Sequence, residues 1–148
     1  MSGSQEGESM SQATTDGNQA GQSCTILVVD DDEAMRMLLV DALQESGCRV
    51  IESKSGNDAL NVLKAVVPNV IVTDLKMPDG GFSYLRQLQE RVPGCPVVVM
   101  TAYGDSQSKA KALECGAQGY FEKPLRMHDL KAWICQMCFL NPCGNLPL

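Results

Sequence analysis

Short, continuous apolar runs alternate with amphipathic stretches along most of this chain. The runs lie near 25–29, 49–52, 70–73, 96–100 and 119–122, and their Val, Ile and Leu content suits strands buried on both faces. Between them, Met35, Leu38, Leu39, Ala42 and Leu43 recur at the spacing of one helical face, and Gly47 supplies a stop. A second helix is predicted on Ala59, Leu60, Leu63, Val66 and Val67, ending at Pro68. A third is predicted on Phe82, Leu85, Leu88 and Val92, with Pro93-Gly94 as terminator. The fourth, about Ser106 to Cys115, is weaker, with only Ala110, Leu113 and small residues expected to face inward. The fifth carries Leu130, Trp133, Ile134, Met137 and Cys138 before Asn141-Pro142.

Five β-α units in series imply a three-layer α/β fold around a parallel sheet with right-handed crossovers. The commonest small version has strand order 2-1-3-4-5, and its ligand crevice opens between the first and third strands. Polar residues stand where the apolar runs end. Asp30 and Asp31 close the first, Asp74 the third and Thr101 the fourth, while Lys123 follows the fifth. In a parallel sheet these ends share one edge, so three carboxylates, a hydroxyl and an ammonium are expected to converge.

Length and composition narrow the setting. A chain of 148 residues has room for one domain with a sizeable core. Residues 1–23 hold no Ile, Leu, Val or aromatic side chain and read as a disordered N-terminal tail, leaving a folded domain over 24–140 and a C-terminal tail over 141–148. Glu6, Glu8 and Asp16 in that tail account for half of the formal net charge of -6. With no Lys/Arg cluster, direct nucleic-acid binding is not expected. No run approaches a membrane span and no signal-peptide pattern opens the chain, so a cytoplasmic location is expected. The seven cysteines are not clustered like those of a small secreted domain, and reduced thiols are the expectation. Cys135-x-x-Cys138, with Cys143 beyond, lacks an evident fourth ligand and reads as small buried or edge thiols.

Crowded carboxylates raise one another's pKa, a conflict that a divalent cation resolves. Mg²⁺ fits best, because it takes hard oxygen ligands and no His or Cys stands at these strand ends. A carboxylate can also attack phosphorus, with the metal, an ammonium and a hydroxyl stabilising the phosphoryl oxygens. Asp74 is the candidate nucleophile. It stands alone on the central strand, whereas Asp30 and Asp31 are adjacent, as ligands on one turn would be. Taken singly, each aspartate is more simply read as a helix N-cap and Lys123 as a solvated charge. Their order along the chain is what points to chemistry.

From Thr25 to about Phe139 the chain resembles the receiver domain of bacterial two-component response regulators, a family with the flavodoxin-like (βα)5 fold. The resemblance is carried by Ile26-Leu-Val-Val-Asp-Asp31, Val72-Thr-Asp-Leu-Lys-Met-Pro78, Met100-Thr-Ala-Tyr-Gly-Asp105 and Gly116-Ala-Gln-Gly-Tyr-Phe-Glu-Lys-Pro124. It implies Asp74 as phosphoacceptor, with Asp31, Asp74 and the Lys76 carbonyl as direct Mg²⁺ ligands and Asp30 as a ligand through water. It further implies Thr101 and Lys123 as contacts to the phosphoryl group, Tyr120 as the switch aromatic, and a cis Lys123-Pro124 bond. Lys76 and Tyr103 occupy the variable positions that tune acyl-phosphate lifetime in relatives. One departure is visible: the loop after Asp74 is a residue shorter than usual and carries Gly80-Gly81.

The function implied is a phosphorelay receiver rather than an enzyme. A sensor histidine kinase or phosphotransfer protein would phosphorylate Asp74, with at most self-phosphorylation and autodephosphorylation by the domain itself. The face formed by the fourth helix, fifth strand and fifth helix would then bind a downstream protein or form a homodimer. The output is expected in another protein, in a dimer or in a domain outside this chain. Two alternatives stay open: a degenerate receiver acting without phosphorylation, and an aspartyl-phosphate phosphohydrolase, although Lys76 stands where such enzymes place their general acid. A nucleotide site is disfavoured, since Asp30-Asp-Asp-Glu33 lacks glycines and would repel a pyrophosphate.

Overall fold

The chain alternates strand and helix throughout a computed structural model that describes residues 24–102 and 106–140. The predicted tails over 1–23 and 141–148, and Tyr103, lie outside the described residues. The elements are β1 (Thr25–Val29), α1 (Glu33–Glu45), β2 (Arg49–Ser53), α2 (Gly56–Val62), β3 (Val70–Asp74), α3 (Phe82–Arg91), β4 (Val97–Thr101), α4 (Ser106–Glu114), β5 (Gly119–Glu122) and α5 (Met127–Leu140). All four strand pairings are parallel and the order is β2-β1-β3-β4-β5, the predicted 2-1-3-4-5 arrangement.

Side chains alternate across the sheet with the period of a strand, which divides the core into two layers. Leu27, Val29, Ile71, Val97 and Val99 face α2, α3 and α4, where they meet Ala59, Leu63, Leu85, Leu88 and Ala112. Ile26, Val28, Val70, Val72, Val98 and Met100 face α1 and α5, against Leu39, Leu43, Leu130 and Ile134. Each fully buried Leu or Ile contributes about 1.5–3 kcal/mol, so both layers stabilise the sheet between them.

Helix ends follow local chemistry. Asp32 caps α1 by accepting from Ala34 N–H, and Gly47, at φ 89°, ends the helix with Cys48 N–H on the Leu43 carbonyl and Gly47 N–H on the Gln44 carbonyl. Helix α2 is shorter than predicted. Its backbone tightens after Val62, with Lys64 and Ala65 donating to carbonyls three residues back, because Pro68 bars the helix from continuing. Val67 is consequently exposed.

Three positions expected to face inward, Leu38, Ala110 and Leu113, are exposed. Leu38 is 60% exposed, since α1 needs only Leu39, Val40 and Leu43 to reach the sheet. On α4 it is Ala112 that is buried, whereas Ala110 and Leu113 face outward. In so polar a helix the sheet selects the smallest side chain that permits close approach.

The expectation of reduced thiols holds for Cys48, Cys95, Cys115 and Cys135 but needs correction at one pair. Cys24 and Cys138 form a disulfide, with Cα atoms 6.2 Å apart and 114 positions between them in sequence. The predicted apolar stripe of α5 crosses the start of β1, which brings Cys138 onto Cys24. Nothing in the local spacing of either cysteine reveals this.

Candidate functional site

Register brings the acidic residues together. Strands β1 and β3 are neighbours with Val29 opposite Thr73, so the next residues, Asp30 and Asp74, stand side by side at the carboxyl rim. Carboxylate oxygens of Asp30, Asp31 and Asp74 all lie within 4.8 Å of one another, and this is the group of potential cation ligands found among the described residues. Asp30 and Asp74 are buried and Asp31 is exposed, which leaves one side of the cluster open to solvent. Asp32, the next residue in the turn, serves instead as the α1 cap.

The cation already at the rim belongs to the chain. Lys123 Nζ donates to Asp74 Oδ2 and to Asp30 Oδ2, both at 3.1 Å. Its backbone is fixed by Lys123 N–H on the Thr101 carbonyl at 2.8 Å, and the Lys123-Pro124 bond is cis, as the resemblance implied. Burial alone would lower the ammonium pKa, but the bonds to Asp74 and Asp30 outweigh it and hold Lys123 above its ordinary value. For Asp30 the balance runs the other way. Burial pushes its carboxyl up more than the Asp32 N–H and Lys123 bring it down. The three carboxylates approach one centre and the donor set is oxygen only, so it fits Mg²⁺.

Asp74 is held by both oxygens. Lys76 N–H donates to Oδ1 at 3.0 Å while Lys123 takes Oδ2. Behind it, Thr73 Oγ1 donates to the Asp74 carbonyl at 2.9 Å and lies 2.9 Å from the hydroxyl of Tyr84. The loop that follows is tight: a Cβ on Gly80 would sit 2.7 Å from the Leu75 carbonyl, and Gly81 has φ 96°. Glycine is therefore required at both positions, which explains how a shortened loop closes.

Thr101 ends β4 and is buried one step beyond Met100, the register partner of Asp74. Tyr120 lies on β5, half-buried against the layer that contains α4. With Phe121, Glu122, Ser106 and Lys109 it lines a shallow hollow between β5 and α4.

Sequence reading missed two contributors. Asp79 accepts from Gly56 N–H at 2.9 Å and Asn57 N–H at 2.7 Å, tying the loop after Asp74 to the start of α2. Tyr84 braces β3 through Thr73. Ser55 caps α2 locally, its Oγ accepting from Asp58 N–H at 3.0 Å, and this short-range contact also went unread. The longer reach of Asp79 carries no local signal, because its partners lie more than twenty residues earlier.

Residues 26–134 match the family model described as the response regulator receiver domain. The DNA-binding transcriptional regulator NtrC of Proteus hauseri is 36% identical over 116 residues, covering 76% of this chain and 24% of that protein. The KDP operon transcriptional regulatory protein KdpE of Escherichia coli is 34% identical, covering 72% of this chain and 48% of that protein. The chain thus spans about a quarter to a half of these relatives. Among solved structures, the BeF3-activated DrrB receiver domain aligns at TM-score 0.74 and 29% identity, covering 80% of this chain and 99% of that one. The beryllofluoride-activated NtrC4 receiver domain dimer aligns at TM-score 0.72 and 31% identity, covering 76% and 94%.

Proposed function

This chain belongs to the response regulator receiver domain family, and from that premise we propose that residues 24–140 form a phospho-accepting receiver whose acceptor is Asp74. The observation that carries the reading is the shared Lys123 ammonium, 3.1 Å from both Asp30 and Asp74. It joins three strand ends into one crevice whose carboxylates outnumber its ammonium.

In the proposed reaction an Asp74 carboxylate oxygen attacks phosphorus and the bond to the donor, a phosphohistidine nitrogen of a sensor kinase or phosphotransfer protein, breaks. Asp30, Asp31, Asp74 and the Lys76 carbonyl would hold Mg²⁺, which when bound supplies positive charge to the phosphoryl oxygens. Lys123 leaves Asp30 to pair with a phosphoryl oxygen while its backbone stays on the Thr101 carbonyl. The Thr101 hydroxyl, at the adjacent strand end, donates to another. Tyr120, next to the hollow at Ser106 and Lys109, is placed to respond when Thr101 moves. The face of α4, β5 and α5 would thereby meet a downstream protein or a second copy. A cytoplasmic setting suits a kinase donor, and no helix among the described residues is long and apolar enough to cross a membrane.

Intact-mass measurement after incubation with acetyl phosphate and Mg²⁺ tests the reading. One added phosphoryl group is expected, absent in Asp74→Asn. An unmodified wild-type chain would favour the degenerate alternative, and continuous phosphate release from a phosphomonoester would favour the phosphohydrolase.

A further inference from the structure

At the amino rim of the sheet, opposite the acidic crevice, four cysteines gather from three parts of the chain. Cys24 immediately precedes β1 and Cys48 immediately precedes β2, the adjacent strand, with Arg49 N–H donating to the Cys24 carbonyl at 2.9 Å. From α5, Cys138 is bridged to Cys24, and Cys135 lies one helical turn earlier on the same side. Cys24, Cys48 and Cys138 are half-buried against one apolar layer, while Cys135 is exposed. Burial raises the pKa of the Cys48 thiol, and Cys135 is near enough to raise it further against the opposing pull of Lys131. Five strand residues, about 17 Å, separate this rim from Asp30, so phosphoryl chemistry uses none of these sulfurs.

The geometry points to a thiol–disulfide site here: Cys24 and Cys138 pass between dithiol and bridge by exchange with a low-molecular-weight disulfide, fastening β1 to α5 when oxidised. The reversibility rests on the cytoplasmic placement proposed above, because in a reducing compartment a protein disulfide is characteristically transient and redox-sensing. Exchange proceeds in two steps. The Cys138 thiolate attacks one sulfur of the external disulfide, forming a mixed disulfide and releasing one thiol. The Cys24 thiolate then attacks Cys138 Sγ, forming the bridge and releasing the second thiol. Two electrons pass from the protein to the external disulfide, and two protein thiols are replaced by two small ones. Cys48 and Cys135 remain as thiols, and the exposed Cys135 marks the solvent side from which the reagent enters.

The full chain, reduced and then equilibrated in glutathione buffers of graded oxidised-to-reduced ratio, would be acid-quenched, alkylated and peptide-mapped. The expected result is a reversible loss of two hydrogens that maps to the Cys24 and Cys138 peptides. It should vanish in Cys24→Ser and in Cys138→Ser and persist in Cys135→Ser. Thiols that stay reduced in the most oxidising buffer, a bridge at another pair, or a bridge that the most reducing buffer leaves intact would overturn the proposal. So would a reduced chain that retains added zinc in native mass spectra with all four cysteines protected from alkylation. Acetyl phosphate labelling of Asp74 on the same samples reports separately on the receiver reading.

Discussion

Lys123 and Asp74 are 49 residues apart in sequence and joined by a 3.1 Å ion pair, with Asp30 as the second acceptor of the same ammonium. An ammonium shared in this way is pre-positioned for a third partner, since it can exchange Asp30 for a phosphoryl oxygen without leaving Asp74. Replacing Lys123 with alanine should slow labelling by acetyl phosphate on the order of a hundredfold, the cost of losing one aimed donor to the transferring group. Mg²⁺ binding, followed by titration calorimetry, should survive the change. Equal labelling rates for variant and wild type would remove Lys123 from the reaction.

Asp30→Asn should stabilise the protein in Mg²⁺-free buffer. Its folded-state pKa lies above the unfolded value, so the folded chain binds the extra proton. Stability therefore falls as pH rises from the unfolded pKa through the folded one. At neutral pH the charge is a net liability, and an amide of the same shape should gain about 1 kcal/mol in urea denaturation. With Mg²⁺ present the order should reverse, because wild type gains binding energy that the variant lacks. A destabilised Asp30→Asn without Mg²⁺ would mean that Lys123 depends on Asp30 more than the buried charge costs.

Asp79 behaves oppositely. The Asn57 N–H, followed by the Gly56 N–H, holds its carboxyl below the ordinary value of 3.8. The stabilisation is fully present above that value and lost as pH falls through the lower, folded-state pKa. Asp79→Ala should cost about 1 kcal/mol, as for loss of a helix cap. The gap from wild type should hold constant from neutral pH down to roughly 4 and close only below it. Thermal melts across that range would show it, and a gap that narrows already near neutrality would refute the capping role.

Gly119→Ala should destabilise by about 1–3 kcal/mol through overpacking. A Cβ there would lie 2.7 Å from the Trp133 ring and 3.0 Å from Val98. Trp133 fluorescence should shift as the ring is displaced, whereas an unchanged spectrum with unchanged stability would show that the ring has room to move.

Much of this architecture was legible because burial on both faces leaves an unmistakable apolar run. All five strands fell where those runs lie, and Asp30, Asp31, Asp74, Thr101 and Lys123 could be placed at their ends before any contact was known. Helix faces were harder. In α4, with few apolar residues, periodicity favoured Leu113, but close packing against the sheet admitted Ala112. The Asp79 cap, the Tyr84–Thr73 brace and the Cys24–Cys138 bridge were hidden for a common reason. Each joins segments whose proximity is decided by tertiary packing, and no local spacing encodes it.

The anchoring of α4 carries one further consequence. Leu39, Leu43, Leu85, Leu88, Leu130 and Ile134 root their helices with large buried side chains, while the buried anchor of α4 is a single methyl group on Ala112. Lifting a helix off a sheet forfeits contact in proportion to what it buries, so this segment detaches at a smaller free-energy penalty than α1, α3 or α5. Its amide protons should exchange with deuterium ahead of those of α1, α3 and α5, giving the molecule a soft flank beside a rigid frame.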